Sequence, residues 1–144
     1  MRKCTVLMFV CLLVCATFVS AELKIVDVEA SSFEAPGLEA QKTIDGDSNS
    51  RWSSQFADDE WIYVDLGKVV DVSTVSISWE TAYGSEYEIQ ISDDAINWGT
   101  VYTESNSDGC LDTVGINTKA RYIKMMGLRR ATEWGYSILE IEVE

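Results

Sequence analysis

The sequence predicts an all-β domain, an antiparallel β-sandwich. Apolar and polar residues alternate over several short runs, and a period of two is the spacing of a strand with one buried face. Gly, Asp, Asn and Ser separate these runs, as turn residues do between antiparallel strands. No window of twelve residues keeps a helical stripe, so we expect no long helix in the domain.

Residues 1–21 have the features of a secretory signal peptide. Arg2 and Lys3 precede an almost wholly apolar stretch, and Val19-Ser20-Ala21 fits cleavage at small residues. A membrane anchor is the alternative, but the apolar stretch is shorter than the ~20 residues of a spanning helix. A bacterial lipoprotein signal is a second alternative, because Cys15 follows Leu-Leu-Val. We expect a secreted protein whose mature domain is residues 22–144.

The mature part contains five runs in which apolar residues recur at every second position. In the first of them Ile62, Val64 and Leu66 share a face. The remaining 123 of the 144 residues are enough for one domain with its own core. Cys110 would be its single cysteine, so we expect no disulfide within it. The five runs are Trp61–Leu66, Thr74–Trp79, Tyr87–Ser92, Tyr122–Met126 and Leu139–Val143.

The charge of the chain limits its partners. The net charge is −13, and cleavage would remove Arg2 and Lys3 but no acid, which gives −15. A surface this acidic argues against nucleic acid and against anionic membranes. It tolerates a neutral ligand and favours a cationic one.

The sequence holds no recognisable catalytic group. It has no histidine and no Gly-x-Ser-x-Gly motif, so neither a Ser–His nor a Cys–His nucleophile is available. A pair of acids could serve a glycosidase, but acids are so abundant here that any two look paired. We therefore predict that the protein is not an enzyme.

Four motifs together carry a family resemblance. Thr43-Ile-Asp-Gly-Asp with Arg51-Trp52, Trp61-Ile-Tyr-Val-Asp-Leu-Gly, Tyr87-Glu-Ile-Gln-Ile-Ser-Asp-Asp and Arg121-Tyr-Ile-Lys-Met resemble a discoidin domain, also called the coagulation factor 5/8 C-type domain. Trp79-Glu-Thr-Ala-Tyr and Trp134-Gly-Tyr-Ser look most like family 32 carbohydrate-binding modules that bind β-glucans or chitosan. The resemblance implies a galactose-binding-like jelly roll. One departure is Cys110, which stands where the family often has glycine.

A metal site is suggested near residue 45. Asp45, Asp47 and Ser50 bring oxygen donors into a Gly-containing turn, which suits Ca²⁺, although most Asp-Gly turns carry only a solvated carboxylate. An EF-hand is excluded, because Ser50 and Phe56 stand where it needs Gly and an acid. The resemblance implies one structural Ca²⁺ held by the carbonyls of Lys42, Asp47 and Leu139, the carboxylates of Asp45 and Glu140, and Ser50.

The ligand site is expected on loops at one end of the sandwich. Sugars stack on aromatic rings and pair with charged or amide groups, whereas Trp52, Trp61, Trp79 and Trp98 lie in strand patterns and are expected in the core. The candidates are Glu34, Arg51, Phe56, Glu80, Tyr83, Trp134 and Tyr136.

Two functions remain open from the sequence. The first is a secreted, monomeric, lectin-like module that binds a β-glucan or chitosan-like polysaccharide in a shallow site. The second is an extracellular adhesion or matrix module whose loops engage protein or lipid.

Overall fold

A computed structural model describes residues 21–144. The predicted signal peptide, except for Ala21, lies outside the described residues. Seven strands and one short 3-10 helix, Ala40–Ile44, are present in the described part of the chain. The strands are β1 Asp27–Ala30, β2 Trp52–Ser53, β3 Trp61–Trp79, β4 Gly84–Ser92, β5 Gly99–Glu104, β6 Leu111–Arg130 and β7 Ser137–Val143.

All strand pairs are antiparallel, in the order β2-β7-β3-β6-β4-β5, with β1 also paired to β3. The two long strands, β3 and β6, each contribute to both layers. The first part of β3 pairs with β1 and its last part with β7, and the β3–β6 register shifts between Asp65 and Val70 and again between Val72 and Thr74. Such shifts let a strand bend from one layer into the other. The predicted antiparallel sandwich is confirmed.

The sequence divides β3 into two runs where the structure has one strand. Ile62 and Val64 are buried before the register shifts, and Val75 and Ile77 are buried after them. The parity of the buried positions therefore changes along the strand, because the irregularity adds an unpaired residue. The alternation is correct on both sides of the bend, while the continuity of the strand depends on its pairing with β6.

The core between the layers contains large aromatic side chains. Trp52, Trp79 and Tyr87 are buried, as expected for the two tryptophans. Burial of one such side chain contributes about 1.5–3 kcal/mol. Their polar atoms are satisfied: Trp52 Nε1 donates to Ser32 O at 2.8 Å, and Trp79 Nε1 donates to Asp112 Oδ2 at 2.9 Å.

Trp61 and Trp98 are only half-buried, so the expectation that they belong to the core is wrong. They lie on the outer face of the β1–β3–β6–β4 layer, with Trp61 stacked on Tyr63 at a ring-centroid distance of 5.6 Å. Lys124 Nζ lies 4.0 Å from the centroid of the Trp98 ring, a cation–π arrangement. Alternating positions on this strand face outward, and the aromatic residues there form a smaller cluster among themselves.

The described part of the chain contains no helix of the length and apolarity needed to cross a membrane.

Candidate functional site

Three loops meet at one end of the sandwich. They are residues 54–60 after β2, which we call the Phe56 loop, residues 80–83 after β3 and residues 131–136 after β6. Backbone hydrogen bonds join them: Ser54 N donates to Tyr136 O at 2.9 Å, Ala131 N donates to Tyr83 O at 2.9 Å, and Glu80 N donates to Ser137 O at 3.0 Å. Loops fixed to one another in this way form a single, ordered surface, which we call the loop surface.

Two exposed aromatic rings are in contact on this surface. Trp134 is 55% exposed and Phe56 is 47% exposed, yet their ring centroids lie 5.6 Å apart with an interplanar angle of 82°. An edge-to-face pair is a favourable aromatic geometry. Exposed apolar groups gathered in one place are typical of binding surfaces. The two rings predicted as sugar-stacking residues are therefore brought together.

Phe33 is a third exposed aromatic residue at this end, and the sequence reasoning missed it. Its side chain is 49% exposed, and its carbonyl accepts a hydrogen bond from Gln55 Nε2 at 2.9 Å, which fixes it beside the Phe56 loop. Its position next to the candidate Glu34, outside any alternating run, was the signal available in the sequence.

The charged candidates Arg51 and Glu80 are neighbours. Glu80 accepts hydrogen bonds from Thr81 Oγ1 at 2.8 Å and from Ala82 N at 3.1 Å. Burial by itself opposes the charge on Glu80, but these hydrogen bonds and the charge of Arg51 outweigh it, so the pKa of Glu80 is lowered. Glu80 is therefore an ionised acceptor at neutral pH.

Arg51 and Glu34 are both linked to Ser53 in β2. Arg51 Nε donates to Ser53 Oγ at 3.1 Å, and Glu34 N donates to Ser53 O at 2.8 Å. Glu34 is exposed and Arg51 is half-buried. The backbone of Glu34 therefore reaches the same short strand as Arg51, which places both charged candidates close to the loop surface.

Tyr83 is half-buried, and its ring packs against the loop that precedes β6. A Cβ atom at Gly109 would lie 2.9 Å from Tyr83 Cδ1, and Gly109 has φ +78°.

Cys110 follows with φ +67°, a left-handed conformation that favours glycine, consistent with the family's usual residue there. The other three cysteines of the chain, Cys4, Cys11 and Cys15, lie outside the described residues. The expected lack of a disulfide concerns the cleaved chain and stays a prediction.

Tyr136 is a correction, because its side chain is fully buried and cannot stack on a ligand. Its hydroxyl donates to Asp58 O at 2.6 Å, and burial raises its pKa. A Cβ atom at Gly127 would overlap the Tyr136 ring, and one at Gly84 would press on it. Glycines on two neighbouring strands thus leave the slot that the ring fills, while Trp134 stays outside.

Four of the six groups proposed for the metal, those of Lys42, Asp45, Asp47 and Ser50, lie close together around the Ser50 hydroxyl. This hydroxyl lies 2.9 and 2.8 Å from the two carboxylate oxygens of Asp45, 3.0 Å from Asp47 O and 3.3 Å from Lys42 O. Oxygens bound to one Ca²⁺ at 2.3–2.6 Å are roughly this far from one another. Hydrogen bonds from Asp47 N and Ser50 lower the pKa of Asp45, so its carboxylate is ionised.

Glu140 in β7 adds a partly buried carboxylate close to Asp45 and Asp47. Its Oε1 atom is buried and has no hydrogen-bond partner. Burial, followed by repulsion from Asp45, Glu142 and Asp47, raises its pKa. A buried carboxylate oxygen without a partner is costly, and a cation beside Asp45 would remove that cost.

The residues present fit a hard cation such as Ca²⁺, provided that most of its ligands are uncharged oxygens. Within residues 21–144 no group of three His, Cys, Asp or Glu side chains is placed to hold a metal. The set contains two carboxylates, and carbonyls and one hydroxyl would complete it, which is common for Ca²⁺.

A sequence model of the F5/8 type C domain matches residues 27–141. The chain belongs to this family. The resemblance inferred from the motifs is therefore confirmed. Family 32 carbohydrate-binding modules are among the solved structures that are similar to this chain.

Two solved structures come from a chitosanase/glucanase of Paenibacillus sp. IK-5. Its chitosan-binding module 1 is 40% identical with a TM-score of 0.82, covering 87% of this chain and 99% of that one. Its chitosan-binding module 2, solved with chitotriose, is 38% identical with a TM-score of 0.79, covering 81% of this chain and 94% of that one. The F5/8 type C domain is thus similar to modules that bind carbohydrate.

A longer relative also matches. The polysaccharide lyase 8 family protein HylA of Enterococcus faecalis is 29% identical over 102 residues, which are 68% of this chain and 7% of HylA. The F5/8 type C domain therefore spans only a small part of that curated relative.

Proposed function

We propose that this chain is a non-catalytic module that binds a polysaccharide through the loop surface, with a preference for a chitosan-like polymer over a neutral β-glucan. The carrying observation is the contact between the exposed rings of Phe56 and Trp134, at the same end as the ionised Glu80. The two Paenibacillus modules support it, because both are described as chitosan-binding and one was solved with chitotriose.

Each part of the surface suits one part of an amino sugar. The apolar C–H face of a pyranose ring would stack on Trp134 or Phe56. Glu80 and Glu34 would accept hydrogen bonds from hydroxyl groups or from a protonated amine, and Arg51 would donate to ring or hydroxyl oxygens. The net charge of −13 attracts a cationic polymer and leaves a neutral one unaffected.

Isothermal titration of the protein with chitotriose and with a neutral β-glucan trisaccharide tests the proposal. We expect chitotriose to bind more tightly, and Trp134→Ala to weaken binding by roughly 1–3 kcal/mol. Ile96→Ala is a matched control, since Ile96 is also exposed but lies in the β4–β5 connection, and it should bind normally. Equal binding by Trp134→Ala and the unchanged protein would show that another face holds the sugar.

A structural Ca²⁺ is part of the same proposal. The ligands would be the carbonyls of Lys42, Asp47 and Leu139 with the side chains of Asp45, Ser50 and Glu140. The ion would neutralise the two carboxylates and tie the turn after the 3-10 helix to β7. Because β7 pairs with β2, and β2 leads into the Phe56 loop, the ion would also stiffen the base of the sugar surface.

We further propose that the protein is exported and acts outside the cell, on the strength of the signal-peptide features of residues 1–21. N-terminal sequencing of secreted material should begin at Glu22. Mature protein that ignores all glycans but binds vesicles or matrix proteins would favour the adhesion function instead.

A further inference from the structure

Arg130, the last residue of β6, donates four hydrogen bonds to the loops beside it. Its side chain is 20% exposed. Its Nη1 atom donates to Glu133 O at 3.0 Å and to Trp134 O at 3.3 Å. The guanidinium group thus holds the backbone of the 131–136 loop directly at Trp134.

The other side of the same guanidinium group holds the Phe56 loop. Arg130 Nε donates to Asp58 Oδ1 at 2.9 Å, and Arg130 N donates to the same oxygen at 3.0 Å. Asp58 lies two residues after Phe56, and its carbonyl accepts the hydrogen bond of the buried Tyr136 hydroxyl at 2.6 Å. Charge-assisted bonds of this kind are stronger than neutral ones and fix geometry.

The 131–136 loop is restrained on the far side of Trp134 as well. A Cβ atom at Gly135 would overlap Ser54 O, so the backbone there is pressed against the start of the Phe56 loop. Tyr136 N donates to Ser54 Oγ at 2.9 Å. Trp134 therefore lies between two fixed points, Arg130 and Gly135, and both connect it to the segment that carries Phe56.

We propose that Arg130 is a positioning residue of the sugar surface, which sets the distance and angle between the Phe56 and Trp134 rings through Asp58 and the carbonyls of residues 133 and 134. The inference rests on the proposed function, because it concerns the rings assigned to sugar stacking. Without the Arg130 guanidinium group the two loops would keep the bonds at Ser54, the bond from the Tyr136 hydroxyl to Asp58 O and the bond from Arg130 N to Asp58 Oδ1. They would lose the bridge from Asp58 Oδ1 through the guanidinium group to the carbonyls of residues 133 and 134. The rings would then have to be ordered when the ligand binds, which lowers affinity.

The variants Arg130→Gln and Arg130→Lys test the role, with Arg129→Gln as the matched control. Arg129 is the preceding residue, and its 68% exposed side chain pairs with Glu86 of β4 and donates to neither loop carbonyl that Arg130 holds. Lysine keeps the charge but lacks the fork that reaches Asp58 and the loop carbonyls together. We expect both Arg130 variants to bind chitotriose about 10-fold more weakly, the loss from ordering two side chains on binding, while Arg129→Gln binds normally.

Nuclear Overhauser contacts between the Phe56 and Trp134 rings supply a second readout that needs no ligand. These contacts should be present in the unchanged protein and in Arg129→Gln, and lost or weakened in both Arg130 variants. Asp58→Ala should have the same effect, and the double variant Asp58→Ala, Arg130→Gln should lose no more affinity than either single one. Arg130→Lys provides a folded variant if Arg130→Gln does not fold.

The two readouts separate the proposals. Unchanged ring contacts and unchanged chitotriose affinity in Arg130→Lys would overturn the positioning role. Ring contacts that are lost in the Arg130 variants, in a protein that binds no glycan, would uphold the positioning of the rings and overturn the proposed function.

Discussion

Replacement of Glu140 by glutamine should change stability in opposite directions with and without Ca²⁺. Without the ion, Glu140 keeps a buried carboxylate oxygen that has no partner and is repelled by Asp45 and Asp47. Glutamine removes the charge at nearly the same volume. We expect Glu140→Gln to be more stable than the unchanged protein in chelator, by about 1 kcal/mol, because the amide is still polar but removes the buried charge and its repulsion by the neighbouring carboxylates.

With Ca²⁺ the order should reverse. Ca²⁺ at a free concentration 100 times its dissociation constant stabilises the folded state by about 2.7 kcal/mol. The Glu140→Gln variant would lose this stabilisation, because it lacks one of the two charged ligands. The variant should then be less stable than the unchanged protein by roughly 1.7 kcal/mol, the difference between the two effects. For a domain of this size these values correspond to melting temperatures about 4 °C higher in chelator and about 7 °C lower in Ca²⁺.

Differential scanning fluorimetry of the mature protein in EDTA and in millimolar Ca²⁺ measures both differences. Glu142→Gln is the matched control, since Glu142 lies two residues along β7 and is exposed, and its melting temperature should respond to Ca²⁺ normally. Asp45→Ala should lose the response to Ca²⁺. A Glu140→Gln variant that keeps the same rank in both buffers, or an unchanged protein whose melting temperature ignores Ca²⁺, would refute the calcium site.

Three further predictions concern binding and packing. Chitotriose affinity should fall with added salt and as pH rises through deprotonation of the sugar amines, whereas a neutral β-glucan oligosaccharide should show almost no salt response; titration at two salt concentrations and two pH values separates them, and equal salt responses would contradict a charge-based preference. Tyr136→Phe should lose about 1 kcal/mol of unfolding free energy in urea, because Asp58 O loses its donor, yet bind more tightly than Trp134→Ala; the reverse order would contradict the burial of Tyr136. Gly127→Ala should cost about 1–3 kcal/mol or more through overlap with the Tyr136 ring, while Gly99→Ala, where a Cβ meets open space, should cost less in the same urea titration.

The sequence predicts the fold well because the alternation is a local property. Ile62, Val64, Val75 and Ile77 each face the core as their patterns indicate. The same patterns do not show that the two halves belong to one strand, since the bend is set by pairing with β6. Trp61 is expected in the core because it is a large aromatic residue in a strand, but it alternates with Ile62 and Val64 and therefore faces outward.

The local sequence does not predict which aromatic residues of the loop surface are exposed. Trp134 and Tyr136 lie two residues apart in one Gly-containing turn, and nothing in that turn says which ring is exposed. Tertiary contacts determine which ring is buried. The glycines of β4 and β6 leave a slot that Tyr136 fills, and Trp134 makes an edge-to-face contact with the exposed ring of Phe56. The Tyr136 ring packs against these glycines and is structural, whereas the Trp134 ring contacts another exposed ring and remains accessible to a ligand. The motif that resembles a carbohydrate-binding module therefore combines one residue that fixes the loop with one that can touch a sugar, and only tertiary contacts tell them apart.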